Sequence, residues 1–314
     1  MTEIVTLTLN PALDIACDAS AVVPLHKVRT RNTTLDPGGG GVNVARVLTE
    51  LGGVACAVFP VGGPIGGQLT ALAAAQVGAV RSIPISGTTR ISMTVHDLSK
   101  GQEYRFVADG PAMLPDEFAA CRAMLARETA PWLVASSSLP PGLAIDSYAI
   151  LARDAASRGQ FFVLDTSGLA LKAALGAGLA LIKPSLGEFE ALIGHTLPDA
   201  ADQNVAALAM VRNGAATRIA VSLGGDGALL ATEAGVWRSP ALPVKAVGAV
   251  GAGDSFVAAM VLALSRGAAP PEALAWGMAA GAAAVSATGT AHPTRALVES
   301  LLPGARSRVV PAMT

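Results

Sequence analysis

The chain has 314 residues, with 22 Lys and Arg against 23 Asp and Glu, which gives a formal net charge of −1. This balance argues against a basic nucleic-acid surface and against an acidic interaction tail. Only 14% of the residues are charged, but the uncharged stretch 273–291 is built mainly of Ala, Gly, Ser and Thr. Such a stretch is better explained by a helix buried against a sheet than by a membrane span.

The cysteines and histidines give no sign of a disulfide framework or a zinc site. Cys17, Cys56 and Cys121 are scattered without C-x-x-C spacing, and the four histidines form no metal-ligand pair, as expected in a reducing compartment. The first four residues show no signal-like apolar block, so we expect a cytoplasmic protein. Since no linker or repeat interrupts the chain, we expect one α/β domain over 1–314.

The first predicted element is a strand at 4–9, where apolar residues alternate with Thr. Asp14 follows in a predicted loop at the end of this strand, where α/β proteins often bind ligand hydroxyls, although a turn-capping Asp would look the same. Four glycines at 38–41 then lead into a helix with Asn43 in its first turn. Without side chains this loop can approach a ligand closely, and Asn43 can aim its amide at the same ligand.

The next segments combine one more strand and helix with a β-rich insertion. A buried strand is predicted at 54–61, and a helix follows through about residue 77. Short strands are then predicted at 80–85, 90–97 and 103–107 without a long helix between them. Together with an exposed strand at about 26–36, the segment 80–107 would form a small sheet that lies over the main sheet as a lid.

Strands and helices alternate again from residue 115 onward. Further strands are predicted at 132–136, 161–164, 179–182, 218–222, 228–231 and 235–238. Helices are predicted at 115–127, 145–158, 169–175, 185–193 and 199–213, and two Ala-rich helices follow residue 250. This alternation predicts a doubly wound, mostly parallel sheet with helices on both faces.

Polar residues recur at the carboxyl ends of the predicted strands. They are Asp14, Ser138, Lys183, Ser222 and Asp254. In a doubly wound sheet these ends share one rim, so the side chains are expected to converge there. Each residue alone also has an ordinary explanation, as a turn hydroxyl, a solvated charge or a helix cap.

The stretch Gly251-Ala252-Gly253-Asp254 combines an anion site with a carboxylate. It opens an apolar run long enough for a helix, and the free N–H groups of a helix N-terminus bind anions. Asp254 beside them can accept a proton. A glycine-rich turn with Asp254 as N-cap would explain the same four residues.

Competing chemistries lack their motifs in this sequence. No G-x-x-x-x-G-K-[ST] or G-x-S-x-G motif occurs, and the glycine run at 38–41 is a poor dinucleotide fingerprint, which argues against an NAD-dependent oxidoreductase. A carboxylate at a helix N-terminus, two glycine loops and basic residues on a lid suit phosphoryl transfer to a hydroxyl. A catalytically silent sugar-phosphate or nucleotide sensor on the same fold is the alternative from another functional class.

Six segments resemble the ribokinase-type, or PfkB, family of carbohydrate kinases, and they occur in that family's order across essentially the whole chain. They are T-L-T-L-N-P-A-L-D, P-G-G-G-G-V-N-V-A-R, S-S-L-P-P-G, K-P-S-L-G-E, S-L-G-G-D-G-A and V-G-A-G-D-S-F. The resemblance implies a ribokinase-like fold with a small β-sheet lid, and ATP with Mg²⁺ as cofactors.

Within the family, the chain resembles the branch that acts on phosphorylated sugars. G-G-G-G-V-N-V-A favours the bacterial minor-type 6-phosphofructokinases, because the 1-phosphofructokinase pattern carries a lysine among the glycines. The implied reaction is ATP-dependent phosphorylation of the C1 hydroxyl of fructose 6-phosphate. A 1-phosphofructokinase and a tagatose-6-phosphate kinase are the alternatives.

The resemblance also implies roles for individual residues. Asp254 would be the general base, and the backbone N–H groups of Gly251, Ala252 and Gly253 would stabilise the transferring phosphoryl group. The residues implied to hold the sugar and its phosphate are Asp14, Gly38, Gly39, Asn43, Arg90 and Ser138. The residues implied to line the ATP site are Lys183, Ser185, Ser222, Gly224 and Gly227.

Two further implications concern the partner subunit and the metal. Lys27 on the lid would reach the substrate phosphate of a facing subunit, in a homodimer built lid to lid. Glu188 would organise Mg²⁺ through water. The family's usual N-x-x-E reads Ser185-Leu186-Gly187-Glu188 here, so we expect altered metal or ATP affinity with the same reaction.

Overall fold

The computed structural model describes residues 2–248, 250–286 and 293–313. In these residues the strands are, in chain order, β1 (Ile4–Leu7), β2 (Ala12–Ala19), β3 (Thr30–Gly38), β4 (Ala55–Val61), β5 (Ala79–Pro84), β6 (Arg90–Asp97), β7 (Gln102–Val107), β8 (Trp132–Ser136), β9 (Phe161–Asp165), β10 (Leu179–Ile182), β11 (Arg218–Ser222), β12 (Ala228–Thr232), β13 (Gly235–Ser239) and β14 (Val310–Met313). The helices are α1 (Gly40–Glu50), α2 (Gly63–Gln76), α3 (Pro115–Leu125), α4 (Ser147–Ser157), α5 (Gly168–Ala174), α6 (Leu186–Ile193), α7 (Ala200–Arg212), α8 (Ala252–Ser265), α9 (Pro270–Val285) and α10 (Arg295–Arg306).

The large sheet sets the geometry of the molecule. Its strand order across the described residues is β14-β13-β12-β11-β10-β9-β8-β1-β4-β5. The strands from β11 to β5 run parallel, whereas β12, β13 and β14 are antiparallel to their neighbours. All parallel strands therefore end at one edge of the sheet, and the residues that follow them meet there.

Two hydrophobic layers cover the two faces of this sheet. One layer packs α1, α2, α8, α9 and α10 against it, and the other packs α3 to α7. Successive strand residues alternate between the layers, so Val134 contributes to the first layer while Leu133 and Ala135 contribute to the second. Strands buried on both faces explain why β8 is apolar without interruption until Ser136.

Helix α8 is the most enclosed helix of the first layer. Its residues from Ser255 to Leu264 are all buried, and it packs between α1 and α9. Small residues make this close packing possible, since a Cβ added at Gly277 of α9 would lie 3.0 Å from the ring of Phe256. A helix that is buried all round holds its first turn rigidly against the rim of the sheet.

A second sheet of strands β3-β2-β6-β7 is separate from the first. Strand β2 pairs with β3 on one side and with β6 on the other, so that Asp14 lies between Asp36 and Ser92. The predicted architecture, a doubly wound α/β sheet with a small additional β-sheet, is confirmed. We refer to this second sheet as the small sheet.

Two predictions about the small sheet were wrong. The strand predicted at 80–85 is β5, which pairs with β4 at the edge of the large sheet. Asp14 does not follow β1 in a loop but lies within β2, a strand that the sequence did not reveal. Asp is uncommon in strands, so residue 14 did not indicate one. Pro11 predicts the end of the extended segment, whereas it lies where the chain passes from β1 in the large sheet to β2 in the small sheet.

The C-terminal part of the chain also differs from the prediction. Helix α10 and strand β14 were not predicted, because Pro303 lies inside the helix and Pro311 within the edge strand. The apolar stretch predicted at 273–291 is α9 up to Val285, and 287–291 lie outside the described residues. None of the helices described has both the length and the apolar composition that crossing a bilayer requires.

Candidate active site

Asp254 lies in the first turn of α8 and does not cap it. Gly251 occupies the N-cap position with φ of +75°, and Ser255 N donates the first helical hydrogen bond to Gly251 O at 2.9 Å. A left-handed residue at this position favours glycine. The interpretation of Asp254 as an N-cap is therefore wrong, and its carboxylate is free to make contacts elsewhere.

The Asp254 carboxylate is held by side chains from two other elements. Asn43 Nδ2 on α1 donates to Oδ2 at 2.9 Å, and Ser136 Oγ at the end of β8 lies 3.5 Å from Oδ1. The pKa of Asp254 is raised to about 7, first by burial and then by the nearby negative charge of Asp165, against the hydrogen bond from Asn43 and the charge of Lys183. A carboxylate with this pKa is well suited to accept a proton near neutral pH.

An ion pair lies beside this carboxylate at the ends of β9 and β10. Lys183 Nζ is 3.4 Å from Asp165 Oδ1, and Lys183 is only 8% exposed. Burial raises the pKa of Asp165, while the adjacent Lys183 charge lowers it. This buried cation lies 3.5 Å from the position that a Cβ on Gly253 would occupy, so it faces the first turn of α8.

A cavity of about 310 Å³ separates the small sheet from the first turn of α8. Its polar lining includes Asp14, Asn43, Arg90, Arg105 and Asp254. Burial raises the pKa of Asp14 to about 6, and the charges of Arg105 and Arg90 oppose the shift. We call this space the small-sheet cavity, and its lining combines hydrogen-bond acceptors for hydroxyl groups with cations for an anion.

The glycine run between β3 and α1 has no room for side chains. A Cβ on Gly38 would overlap the carboxylate of Asp14, and one on Gly40 would overlap Ser136 Oγ. Gly39 lies between them with φ of +111°, which side chains rarely tolerate. These glycines therefore let the backbone of α1 approach both Asp14 and the end of β8.

Arg90 and Ser138 line a second cavity of about 440 Å³ that borders the first. Arg90 Nη1 and Nη2 donate to the carbonyls of Ala108 and Asn10 at 2.7 and 2.8 Å. Asn10 Nδ2 also donates to Ser138 Oγ at 3.2 Å. The guanidinium is thus fixed by backbone carbonyls, while its charge remains available to both cavities.

A third cavity, of about 580 Å³, lies on the other side of the α8 N-terminus. Its rim carries Lys183, Ser222, Gly224 and Gly227. Its apolar walls include Leu242, Phe256 and Met278. We call this space the α8–α9 cavity, and its size and lining are typical of pockets that bind a small organic ligand with a polar end.

The first turn of α8 is the wall between the small-sheet cavity and the α8–α9 cavity. Gly251 and Asp254 line the former, whereas Ala252 and Gly253 line the latter. The first backbone N–H groups of a helix have no acceptor within the helix and carry its positive dipole end. An anionic group that passes from one cavity to the other would therefore cross an anion-binding helix N-terminus beside a carboxylate.

Four predicted residues do not line these cavities: Gly38, Lys27, Ser185 and Glu188. Lys27 is exposed in the loop before β3. Ser185 caps α6, where Glu188 Oε2 accepts hydrogen bonds from Ser185 N at 2.8 Å and Ser185 Oγ at 2.9 Å. Within the ranges that the structure describes, no group of three or more His, Cys, Asp or Glu side chains is arranged to hold a metal.

Three residues that the sequence did not single out belong to the site. Ser136 and Asp165 end β8 and β9, so the strand-end pattern that pointed to Lys183 also applied to them. Arg105 gave no comparable signal, because its place in the small-sheet cavity depends on the pairing of β7 with β6.

Comparison with known proteins places the chain in a family. A protein-family model described as pfkB family carbohydrate kinase matches residues 7–297. An ATP-dependent 6-phosphofructokinase isozyme 2 of Mycobacterium tuberculosis strain H37Rv is 42% identical over 299 residues, which cover 95% of this chain and 88% of that protein. The protein of the same name from Escherichia coli K12 is 40% identical over 292 residues, which cover 92% of this chain and 94% of that protein.

A solved structure extends the similarity to three dimensions. Escherichia coli phosphofructokinase-2 in complex with fructose-6-phosphate matches with a TM-score of 0.91 and 37% identity, covering 97% of this chain and 99% of that one. The family resemblance seen in the sequence motifs is confirmed over nearly the whole length, and a dinucleotide-dependent oxidoreductase is set aside. The chain belongs to the pfkB family of carbohydrate kinases.

Proposed function

We propose that this protein is an ATP-dependent phosphofructokinase that phosphorylates the C1 hydroxyl of fructose 6-phosphate. The observation that carries the proposal is the first turn of α8, which separates two cavities and places Asp254 at their junction. The small-sheet cavity would hold the sugar phosphate and the α8–α9 cavity would hold ATP. The relatives named for this reaction are similar along almost the entire chain.

Asp254 would act as the general base of this reaction. Its carboxylate takes the proton from the C1 hydroxyl as the oxygen attacks the γ-phosphorus and the bond to the β-phosphate oxygen breaks. Asn43 and Ser136 keep the carboxylate in place. Because the pKa of Asp254 is about 7, the carboxylate is partly ionised at neutral pH and can accept the proton.

The charge on the moving phosphoryl group is stabilised by the α8 N-terminus. Backbone N–H groups at Gly251, Ala252 and Gly253 would donate to the phosphoryl oxygens, and Lys183 would offset their charge from the α8–α9 cavity. Preorganised donors of this kind contribute roughly 3–4 kcal/mol each in well-studied enzymes. Ser222, Gly224 and Gly227 would hold the remainder of the nucleotide at the rim of that cavity.

Specificity for a phosphorylated sugar would come from two arginines. Arg90 and Arg105 both line the small-sheet cavity together with Asp14, Gly39 and Asn43. Carboxylate and amide groups suit sugar hydroxyls, and guanidinium groups suit a phosphate. Ser138, beside Arg90, would donate to the same phosphate or to a neighbouring oxygen.

Magnesium would enter this site with ATP. Mg²⁺ usually binds one or two protein carboxylates together with substrate phosphates and waters, and the Glu188 carboxylate, three residues after Ser185, fits that requirement. When bound, the ion would neutralise charge on the phosphates. Glu188 Oε2 is already bonded to the Ser185 cap, so we propose contact through water.

The small sheet would also form the interface of a homodimer. Strand alternation and register place four exposed apolar side chains on one face of the small sheet: Leu35, Ile91, Met93 and Phe106. An exposed apolar sheet face of this kind is typical of an interaction surface. A second copy placed against it would bring Lys27 near the substrate phosphate of the first.

Coupled measurement of ADP formation tests the proposed reaction. Purified protein is supplied with MgATP and with fructose 6-phosphate, fructose 1-phosphate or tagatose 6-phosphate in separate assays. We expect the highest kcat/KM with fructose 6-phosphate. A preference for either of the other sugars would assign the alternative activity, and no turnover with any phosphosugar would favour the non-catalytic sensor.

A further inference from the structure

Arg46 on α1 is almost fully buried, with 5% of its surface exposed, and its guanidinium bonds to four residues. Nε donates to Gln76 Oε1 at 2.6 Å, Nη2 donates to Asp36 Oδ1 at 3.1 Å, and Nη1 donates to Pro37 O at 3.3 Å and Asn43 Oδ1 at 3.4 Å. These partners belong to β3, α1 and α2. The Arg46 side chain therefore links β3 of the small sheet to α1 and α2, two helices that cover the large sheet.

The contact with Asn43 decides which end of that amide faces Asp254. A guanidinium can only donate hydrogen bonds and a carboxylate can only accept them, whereas a carboxamide does one with each end. With Oδ1 toward Arg46, the Asn43 amide must present Nδ2 to Asp254, as observed at 2.9 Å. The reversed amide would place an oxygen against the carboxylate and an NH₂ group against the guanidinium.

We propose that Arg46 is a positioning residue, which orients the Asn43 amide and through it the Asp254 carboxylate. The same guanidinium anchors Asp36 and Pro37 of β3, directly before Gly38 and opposite Asp14 in the small sheet. Arg46 thus supports both the strand β3, which would bind the sugar, and Asp254, which would activate the sugar hydroxyl. The role rests on the function proposed for Asp254, but its geometry can be tested separately.

Stability alone is a poor explanation for this arginine. Removing a guanidinium from water is unfavourable, and buried ion pairs often stabilise a protein less than apolar residues of the same size. A long apolar residue at position 46 would fill the same space between α1 and α2. Such a residue would lose the hydrogen bonds of Arg46 to Asn43 and to β3, which support the site.

Kinetics of Arg46→Met and Arg46→Lys test the proposal. We expect Arg46→Met to lower kcat roughly 10²-fold, because a small misplacement of a reacting group has effects of that order, with KM for ATP nearly unchanged. Arg46→Lys should recover only part of the loss, since one ammonium group cannot reach four acceptors in a fork geometry. Arg46→Lys also keeps the buried charge, so it remains informative if Arg46→Met folds poorly.

The control removes a half-buried arginine that lies far from the site. Arg218 begins β11 at the opposite edge of the large sheet, and its Nη1 donates to Ala180 O at 3.4 Å. Arg218→Met should lower the unfolding midpoint in urea without lowering kcat. If the two Met variants lose kcat equally at equal stability, Arg46 has only a structural role.

A double-mutant cycle identifies the path of the effect. If Arg46 acts through Asn43, the kcat of Arg46→Met combined with Asn43→Ala should equal that of Asn43→Ala alone. Multiplicative losses would overturn the proposal.

A measurement without turnover separates this proposal from the proposed function. The charged groups that face Asp254 from neighbouring elements are Asp165 and Lys183, and neither is changed by substitution at position 46. Loss of the Asn43 donor should raise the pKa of Asp254 in Arg46→Met and in Asn43→Ala, but not in Arg218→Met. Titration of ¹³C-labelled aspartate carboxyls, assigned with Asp254→Asn, measures this directly. An unchanged Asp254 pKa in Arg46→Met would overturn the positioning role, whatever the wild-type enzyme phosphorylates.

Discussion

At the scale of single residues, Asp254 concentrates the chemistry of the site. Its contacts to Asn43 and Ser136 come from α1 and β8, and its pKa is raised to about 7 chiefly by burial. A carboxylate with this pKa can itself accept a proton near neutral pH. The cost is a carboxylate that is poorly solvated when ionised.

Asp254→Asn should lower kcat by roughly 10²- to 10⁴-fold, the usual contribution of general base catalysis. Asparagine keeps the shape of the side chain but cannot take the proton, so the affinity for fructose 6-phosphate should change little. Steady-state kinetics and titration calorimetry measure the two quantities. A near-normal kcat would remove Asp254 as the base.

Arg90→Ala should mainly raise KM for the phosphorylated sugar, because the guanidinium lines the small-sheet cavity, in which that phosphate would lie. A lost charge-assisted hydrogen bond corresponds to roughly 1.5–3 kcal/mol, or about 10- to 100-fold in KM. The comparison uses fructose 6-phosphate and unphosphorylated fructose. An equal effect on both sugars would show that Arg90 does not recognise the phosphate.

At the scale of secondary-structure elements, the close approach of α1 to the sheet depends on glycine. The segment Gly38 to Gly40 passes between Asp14 of β2 and Ser136 of β8 without space for a Cβ. A helix begun by any larger residue would be pushed away from both strands. The position of Asn43 beside Asp254 thus follows from the glycines that precede it.

Gly38→Ala should raise KM for the sugar phosphate about tenfold or more, because the added Cβ would displace the Asp14 carboxylate. The control is Gly67→Ala in α2, where a Cβ meets no atom within 4 Å. That change should leave kinetics unaltered and stabilise the protein by roughly 0.5–1 kcal/mol through helix propensity. Equal kinetics for both variants would contradict the role given to Gly38.

At the scale of the whole molecule, the small sheet has one face toward the site and one toward solvent. Leu35, Ile91, Met93 and Phe106 leave an apolar patch on the outer face. A second copy of the chain packed against this patch would bury these four exposed apolar side chains. Dimerisation and sugar binding would then depend on the same strands.

Phe106→Glu should convert the proposed dimer to a monomer, because Phe106 is 58% exposed on that face and a charge there would be desolvated. Sedimentation velocity at several protein concentrations measures the mass. Leu169→Glu on α5, where the leucine is 68% exposed, is the control and should leave the mass unchanged. A wild-type protein that sediments as a monomer would remove the dimer proposal.

The ionisation of Asp254 should also destabilise the folded molecule as a whole. Its pKa rises from 3.8 in the unfolded chain to about 7 in the fold, so the folded state loses stability as pH increases between these values. The advantage of Asp254→Asn over wild type should therefore grow by roughly 2–3 kcal/mol from pH 5 to pH 8.

Urea unfolding at both pH values measures this difference. Glu233→Gln, in the exposed turn between β12 and β13, is the control and should show no such growth. An advantage of Asp254→Asn that is equal at the two pH values would mean that the carboxylate is not destabilised by burial.

Much of the fold and the site could be predicted from local patterns. Strands at Trp132–Ser136, Leu179–Ile182 and Arg218–Ser222 have the bounds expected from their apolar runs. Polar residues after such runs belong to one rim because parallel strands share a direction, which is why Lys183 and Ser222 were recognised. The glycines before Asn43 predicted a backbone that approaches a ligand closely. The glycines before Asp254 predicted a helix N-terminus.

Only the tertiary structure decided which of these residues touch. Asn43 and Asp254 are 211 positions apart, and their hydrogen bond depends on how α8 packs on α1, which no local pattern encodes. Asp14 and Arg105 face one cavity because β2, β6 and β7 pair in a particular register, and a shift by one residue would turn each side chain to the opposite face. By itself the sequence determined the chemical groups and the strand ends that carry them, whereas long-range packing and sheet register decided their contacts.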